Sequence, residues 1–227
     1  MNTVLSWLTS PAFTAFGAPT SWAELLGFVT GAVCVRLVAS QNVWSWPLGI
    51  ANNLMWILLF ATAGLYADSG LQVVYIGLAL WGWRQWLHGG QDRTPLTVSR
   101  TTPVQWVWLT AAGIAATGGL TWLLATATNS TVPFFDALTT ALSLMATWGQ
   151  CRKKLESWWL WIGADLVYVP LYLHKDLVLT AVLYVVFLAL CVQGLVRWRH
   201  SLYRQGAPAA SEVDTRSTAV LTGGDPA

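Results

Sequence analysis

The stretch Ser45-Trp-Pro-Leu-Gly-Ile-Ala-Asn-Asn-Leu-Met-Trp56 sets two amides, Asn52 and Asn53, inside an apolar run. It has a counterpart 112 residues later, Ser157-Trp-Trp-Leu-Trp-Ile-Gly-Ala-Asp-Leu-Val-Tyr168. At that constant offset, residues 22–87 align with 134–199 without a gap. Trp46 falls on Trp158, Asn53 on Asp165, Trp56 on Tyr168, Gly82 on Gly194 and Trp86 on Trp198. Further along, Leu71-x-Val73-Val74 falls on Leu183-x-Val185-Val186, and near the start Glu24 falls on Asp136. Leucine matches between apolar helices carry little weight, whereas tryptophan and polar matches carry more. Amides and carboxylates are expensive in hydrocarbon, so a polar position repeated in mid-span marks a substrate or ion path. The pattern points to a transporter built from a duplicated unit.

Composition agrees with a membrane setting. The 227 residues are 55% hydrophobic and 10% charged, with mean hydropathy +0.52, against about 25% charged residues in an average soluble domain. No stretch is long and polar enough for a separate soluble core. The net charge of +2 says little by itself about partners. Cys34, Cys151 and Cys191 lie in or beside apolar runs without metal-ligand spacing, and read as small buried hydrophobes. Residues 1–20 lack the basic start and long apolar stretch of a cleaved signal.

A bilayer span needs about 20 predominantly apolar residues. Seven runs qualify, at 22–40, 43–63, 69–87, 104–127, 133–151, 156–174 and 177–197. Residues 3–16, with Leu5, Trp7, Leu8, Phe13 and Phe16 around Pro11, are too short to span and read as an interfacial segment. The chain divides into that outer segment (1–20), a first three-helix bundle (21–90), a basic loop with a linker helix (91–130) and a second bundle (131–200). A disordered tail (201–227) follows, rich in small and polar residues from Ala207 onward. Arg36, Arg84, Arg93, Arg100, the Arg152-Lys153-Lys154 cluster and the arginines at 197, 199, 204 and 216 share one side of a seven-span chain. Lys175 is alone on the other. The positive-inside rule then predicts a multi-pass cell-membrane protein with its N-terminus outside and its C-terminus in the cytoplasm.

Two three-span units share an orientation only when an odd number of spans separates them. The run at 104–127 supplies that inverter. The expected fold is all-α, seven transmembrane helices in a 3+1+3 parallel repeat, with substrate near the midplane between the repeats. Ser21-Trp-Ala-Glu24 reads as a capping box at the first helix, and Asp136 after Pro133 as the same device at the second unit. Gly27-x-x-x-Gly31 reads as a close-packing face.

The candidate site follows from helical spacing. Trp158, Trp161, Asp165 and Tyr168 fall on one stripe. Two aromatic faces beside a carboxylate suit a flat, positively charged heteroaromatic ring; the bland alternative is an aromatic packing face with Asp165 bonded to a neighbour. Trp46, Asn52, Asn53 and Trp56 form the counterpart stripe, in which one amide faces ligand and the other bonds a neighbouring helix. Amides donate and accept, as a carboxamide or sugar requires. Gln72, Tyr75 and Gln150 are further polar candidates. Tyr66 and Asp68 read as lying near the outer mouth, Asp68 as a cap of the third span. Trp22, Trp81, Trp83, Trp86, Trp106, Trp108 and Trp198 read as interfacial belts. Arg36, His88, His174 and His200 sit at membrane ends, where solvated or snorkelling roles dominate. No nucleotide loop, metal cluster, catalytic triad or nucleic-acid signature is present, so no catalytic residue, metal or cofactor is expected.

Several motifs resemble one family. Gln41-Asn-Val-Trp-Ser-Trp-Pro-Leu-Gly-Ile50 looks like the second-span entry of PnuC-type nicotinamide riboside transporters, and Gly64-Leu-Tyr-Ala-Asp-Ser-Gly-Leu-Gln-Val-Val-Tyr75 is similar to the family's approach to the third span. Thr147-Trp-Gly-Gln150, Glu156-Ser-Trp158 and Tyr168-Val-Pro-Leu-Tyr172 also fit, and the resemblance spans about residues 21–200. It implies a SWEET-like 3+1+3 fold, a homotrimer, and facilitated diffusion of nicotinamide riboside, a vitamin B3 precursor of NAD. Uptake in the family is driven by phosphorylation of the vitamin inside the cell, which implies functional coupling to a cytoplasmic nicotinamide riboside kinase. Related carriers take riboflavin or thiamine on the same scaffold. A non-transporting receptor or scaffold and a membrane-embedded enzyme are the competing classes; the latter is disfavoured because no reactive constellation lies near a membrane face.

Overall fold

The computed structural model describes residues 6–8, 10–15, 18–62, 64, 66–128, 131–174 and 178–206. Leu5, Phe16, Lys175, Arg216 and the tail from Ala207 lie outside them. The chain is mostly helical. A short antiparallel hairpin of β1 (Pro11–Ala15) and β2 (Ala18–Ser21) leads into seven long helices. These are α1 (Trp22–Ala39), α2 (Ser45–Thr62), α3 (Tyr66–His88), α4 (Pro103–Ala127), α5 (Pro133–Cys151), α6 (Ser157–His174) and α7 (Val178–Gly206). The hairpin takes in residues 11–15 of the segment read from sequence as interfacial. Trp7 stacks on Trp22 with ring centroids 5.4 Å apart, tying the hairpin region to the start of α1.

Local chemistry explains the helix limits. The Ser21 hydroxyl accepts from the Glu24 N–H, and the Ser21 N–H donates to Glu24 Oε2 at 2.8 Å, which completes the expected capping box. The second unit lacks one: the residue before α5 is Val132, with no side-chain cap, and Asp136 sits in the first turn. A carboxylate there still favours the positive end of the helix dipole. At the other end of the chain, α7 runs past residue 200 to Gly206. Leu202 packs on the core, and the Arg199 guanidinium lies over the Tyr203 ring at 5.6 Å, so residues 201–206 are helix rather than tail.

By length and composition alone, α1, α4 and α7 (as far as Gln205) can cross a membrane. Polar residues lower the apolar character of the other four: Asn52 and Asn53 on α2, Gln72 on α3, Ser143 and Thr147 on α5, Asp165 on α6. Helix contacts explain where those polar groups go. α1 packs on α2, α2 on α3, α3 on α5, α5 on α6, α6 on α7 and α7 back on α1, which closes a ring of six helices. In that ring α2 stands opposite α6. α4 lies outside, packed on α5, and has no buried residue.

The densest core lies where the α1–α2 and α5–α6 turns meet, at what we call the basic end. Contacts there repeat at the sequence offset. Trp86 Nε1 donates to the Gln150 carbonyl at 2.8 Å, and Trp198 Nε1 donates to the Val38 carbonyl at 3.1 Å. Trp46 meets Trp86 edge-on at 5.3 Å, Trp158 meets Trp198 edge-on at 5.4 Å, and Trp86 and Trp198 touch at 6.0 Å. Trp86 and Trp198 are therefore fully buried and not members of an interfacial belt. Their N–H groups need acceptors that each half supplies to the other, and an indole at the lipid interface would find water instead. Gln41 and Lys153, themselves one offset apart, both adopt positive φ and meet at 3.4 Å. The Lys153 ammonium lies 4.4 Å above the Trp86 ring.

Candidate functional site

A cavity of about 480 Å³ opens inside the ring, lined by all six of its helices and by none of α4. That is ample for a small molecule. All eleven residues singled out from sequence line it: Trp46, Asn52, Asn53 and Trp56 on α2, Gln72 and Tyr75 on α3, Gln150 on α5, and Trp158, Trp161, Asp165 and Tyr168 on α6. Their parts in it differ.

Trp46 and Trp158 form the floor at the basic end. Each indole is seated on a glycine of the next helix, Trp46 on Gly82 and Trp158 on Gly194, where a Cβ would overlap the ring. Trp158 is fully buried, so the W-x-x-W pair does not present two open faces. Only Trp161 remains half-buried as wall. Asn52 divides from Asn53 as the spacing suggested. Its amide donates to the Gly27 carbonyl at 3.1 Å and to Thr30 Oγ1 at 2.5 Å, clamping α2 to α1. The Asn53 side chain makes no hydrogen bond among the described residues. Gly27, the first of the close-packing glycines, makes room for the Trp56 ring, and Gly31 faces Phe187 of α7.

Away from the floor the wall is phenolic. Tyr168 and Tyr184 line the cavity with centroids 4.6 Å apart and rings tilted; Tyr172 stacks on both at 5.7 and 5.0 Å, and Phe187 closes edge-on against Tyr184. Tyr184, Phe187, Ser143, Thr147, Cys34 and Cys191 also line the cavity, though none of them was among the site residues singled out from sequence. The repeat held a signal for two of them: at the 112 offset Tyr184 answers Gln72 and Phe187 answers Tyr75. Asp68, expected near the outer mouth as a cap, lies in the first turn of α3 and also lines the cavity.

Buried polar atoms are almost always hydrogen-bonded. Trp46, Trp158 and Trp161 each leave a buried indole N–H without a protein partner, and Asp165 leaves Oδ2 so. All four residues line the cavity. Each of these polar atoms is enclosed within the aromatic framework of the cavity wall. Among the described residues no group of three or more His, Cys, Asp or Glu side chains could hold a metal ion.

The family model for the nicotinamide mononucleotide transporter matches residues 21–200. The chain belongs to this family. The match covers both three-helix units and α4, and agrees with the PnuC-type resemblance carried by the motifs. Among curated relatives, the riboflavin/roseoflavin transporter RibM of Streptomyces davaonensis is 28% identical over 86% of the chain and 92% of its own length. The nicotinamide riboside transporter PnuC of Escherichia coli strain K12 is 22% identical over 87% of the chain and 93% of its own. A crystal structure of the vitamin B3 transporter PnuC shares the fold, with a TM-score of 0.64 at 22% identity over 81% of the chain and 83% of that structure. The family is one of transporters, and this member is a multi-pass membrane protein.

Proposed function

We propose that this PnuC-family vitamin transporter carries nicotinamide riboside into the cell by facilitated diffusion, the vitamin being trapped inside by phosphorylation. The observation that carries the reading is that the Trp161 indole N–H and Asp165 Oδ2, one turn apart on α6, are buried without a protein partner, while Asn53 lines the same cavity from the opposing helix. Nicotinamide riboside pairs a pyridinium with a carboxamide and ribose hydroxyls. Trp161 and Asp165 meet the cationic ring; Asn53 and Gln72 meet the amide or the sugar. The remaining parts of the proposal are a SWEET-like 3+1+3 parallel repeat with α4 as inverter, the basic end in the cytoplasm, a homotrimer, and a partner nicotinamide riboside kinase. The exchanged Trp86 and Trp198 contacts support the repeat. The exposed apolar side chains of α4, among them Val107, Trp108, Ile114 and Trp122, give it a face suited to lipid or to a neighbouring protomer.

Riboflavin is the second reading, supported by the 28% identity to RibM against 22% to the nicotinamide riboside carrier of E. coli. Purified protein in liposomes loaded with nicotinamide riboside kinase and ATP separates the two. Accumulation of label from nicotinamide riboside, exceeding that from riboflavin or thiamine, is the expected result. Riboflavin uptake without nicotinamide riboside uptake moves the assignment to the second reading. No uptake of any of the three ends the transport proposal.

A further inference from the structure

We infer that Gly49 is a specificity-determining residue of the transport site, the bare wall of a slot whose other wall is Trp161. The inference rests on the proposed vitamin site and adds the residue that sets its width. At the 112 offset Gly49 answers Trp161. The pairs on either side of it, Trp46/Trp158 and Asn53/Asp165, match in size or polarity; this one replaces the largest side chain with none. Both residues line the cavity, and they stand on α2 and α6, the helices opposite one another in the ring. One wall thus carries an indole at the level where the other is reduced to backbone.

The space at Gly49 is not taken up by the protein's own packing. Gly82 and Gly194 are filled by the Trp46 and Trp158 rings, and Gly27 by Trp56. At Gly49 an added Cβ would meet a single atom within 4 Å, Cys34 Sγ at 3.4 Å, an ordinary contact. Gly49, Cys34 and Trp161 all line the cavity, and the buried Trp161 N–H has no protein partner. A planar heteroaromatic ring fits there, one face on the Trp161 indole and the other on the α2 backbone. A second indole at Gly49, as symmetry of the repeat would dictate, would fill the slot that the ring needs.

The test is calorimetric binding of nicotinamide riboside, riboflavin and thiamine to detergent-purified wild type, Gly49→Ala, Gly49→Val and the double variant Cys34→Ala/Gly49→Ala, each checked for monodispersity and unliganded Tm. Gly49→Ala is expected to weaken the vitamin that wild type binds by about tenfold, the scale of overfilling a close-fitting site by one methyl, and Gly49→Val more. The double variant, relieved of the only protein contact, should stay weak. Affinity unchanged in Gly49→Ala, or restored in the double variant, overturns the slot while leaving the vitamin reading intact. A wild type that binds none of the three overturns both.

Discussion

Asp165 is the one carboxylate that the repeat substitutes for an amide, and its buried Oδ2 has no protein partner. A cation in the cavity would complete it, and removing its charge should discriminate between ligands. Asp165→Asn is expected to lower affinity for nicotinamide riboside about tenfold or more, as losing a charge-assisted contact does, while binding of neutral riboflavin changes little. Equal losses for both ligands in a titration would assign Asp165 to packing. Trp161→Ala should weaken binding by roughly 1–2 kcal/mol through lost stacking and cation–π attraction, whereas Trp106→Ala on α4, outside the ring, should not. Lys153 sits at the opposite pole of the chemistry. It lies outside the helices, nearly buried over Trp86, and burial pushes its amine down to about 8 from 10.5. Between those values the unfolded chain holds the proton more tightly than the folded one, so folding stability from this group rises with pH across that window. Below it the penalty for burying the charge is present in full. The Tm of wild type relative to Lys153→Met should therefore climb between about pH 8 and pH 10.5; a flat difference would mean the amine is solvated.

At the scale of elements, two indole hydrogen bonds tie the halves together. Trp86→Phe and Trp198→Phe should each lower stability by about 1 kcal/mol, the net worth of one such bond, and by similar amounts because the two sites repeat one geometry. Thermal unfolding in detergent measures both. Gly82→Ala and Gly194→Ala, each driving a Cβ into a floor tryptophan, should be worse, in the range of about 1–3 kcal/mol for overpacking. These elements also show what sequence could and could not convey. Helix positions were legible to within a few residues, because apolar runs bounded by charge and proline leave little freedom, except at the end of α7, which continues to Gly206 where the apolar run stops at 197. Six of the eleven cavity residues were legible because rare polar and aromatic types recur at one offset, and the others because they are polar or aromatic residues at helical spacing in apolar runs. The burial of Trp86 and Trp198 was not. A tryptophan near a span end is usually interfacial, and only the acceptors at Gln150 and Val38, distant in sequence, reveal that these two turn inward. Tyr184 and Phe187 escaped because the offset pairs them with Gln72 and Tyr75, residues of a different type, so the repeat marks the positions without matching the side chains. The hairpin before α1 left no trace in hydropathy, which registers apolar length but not strand pairing.

For the whole molecule, the ring has two dissimilar ends. The basic end is tied shut by Trp46, Trp86, Trp158 and Trp198 beneath the cavity. The loop after α3 is pinned across it: the Ser99 N–H donates to the Lys153 carbonyl at 3.0 Å, the Thr101 N–H to Glu156 Oε2 at 2.8 Å, and Lys154 Nζ to the Arg100 carbonyl at 3.0 Å. If that end faces the cytoplasm, a cysteine placed at Gln91 on this loop should react with a membrane-impermeant thiol reagent only after cells are opened. Labelling in intact cells would reverse the orientation. Transport driven by intracellular phosphorylation should also be indifferent to imposed proton or sodium gradients, which uptake into liposomes under each gradient can establish.

The exchanged tryptophan bonds have a consequence for biogenesis. The Val38 carbonyl belongs to the first long helix to be synthesised, and its indole donor, Trp198, to the last. The floor of the site therefore cannot be finished while the second unit is still emerging, whatever the first has already inserted. A nascent chain must hold α1 to α3 in the bilayer with their inward face unsealed until α7 arrives. Conversely, two separately expressed halves carry complementary docking features, the donor of each matched to the acceptor of the other, and should reassemble into one site when made in the same membrane.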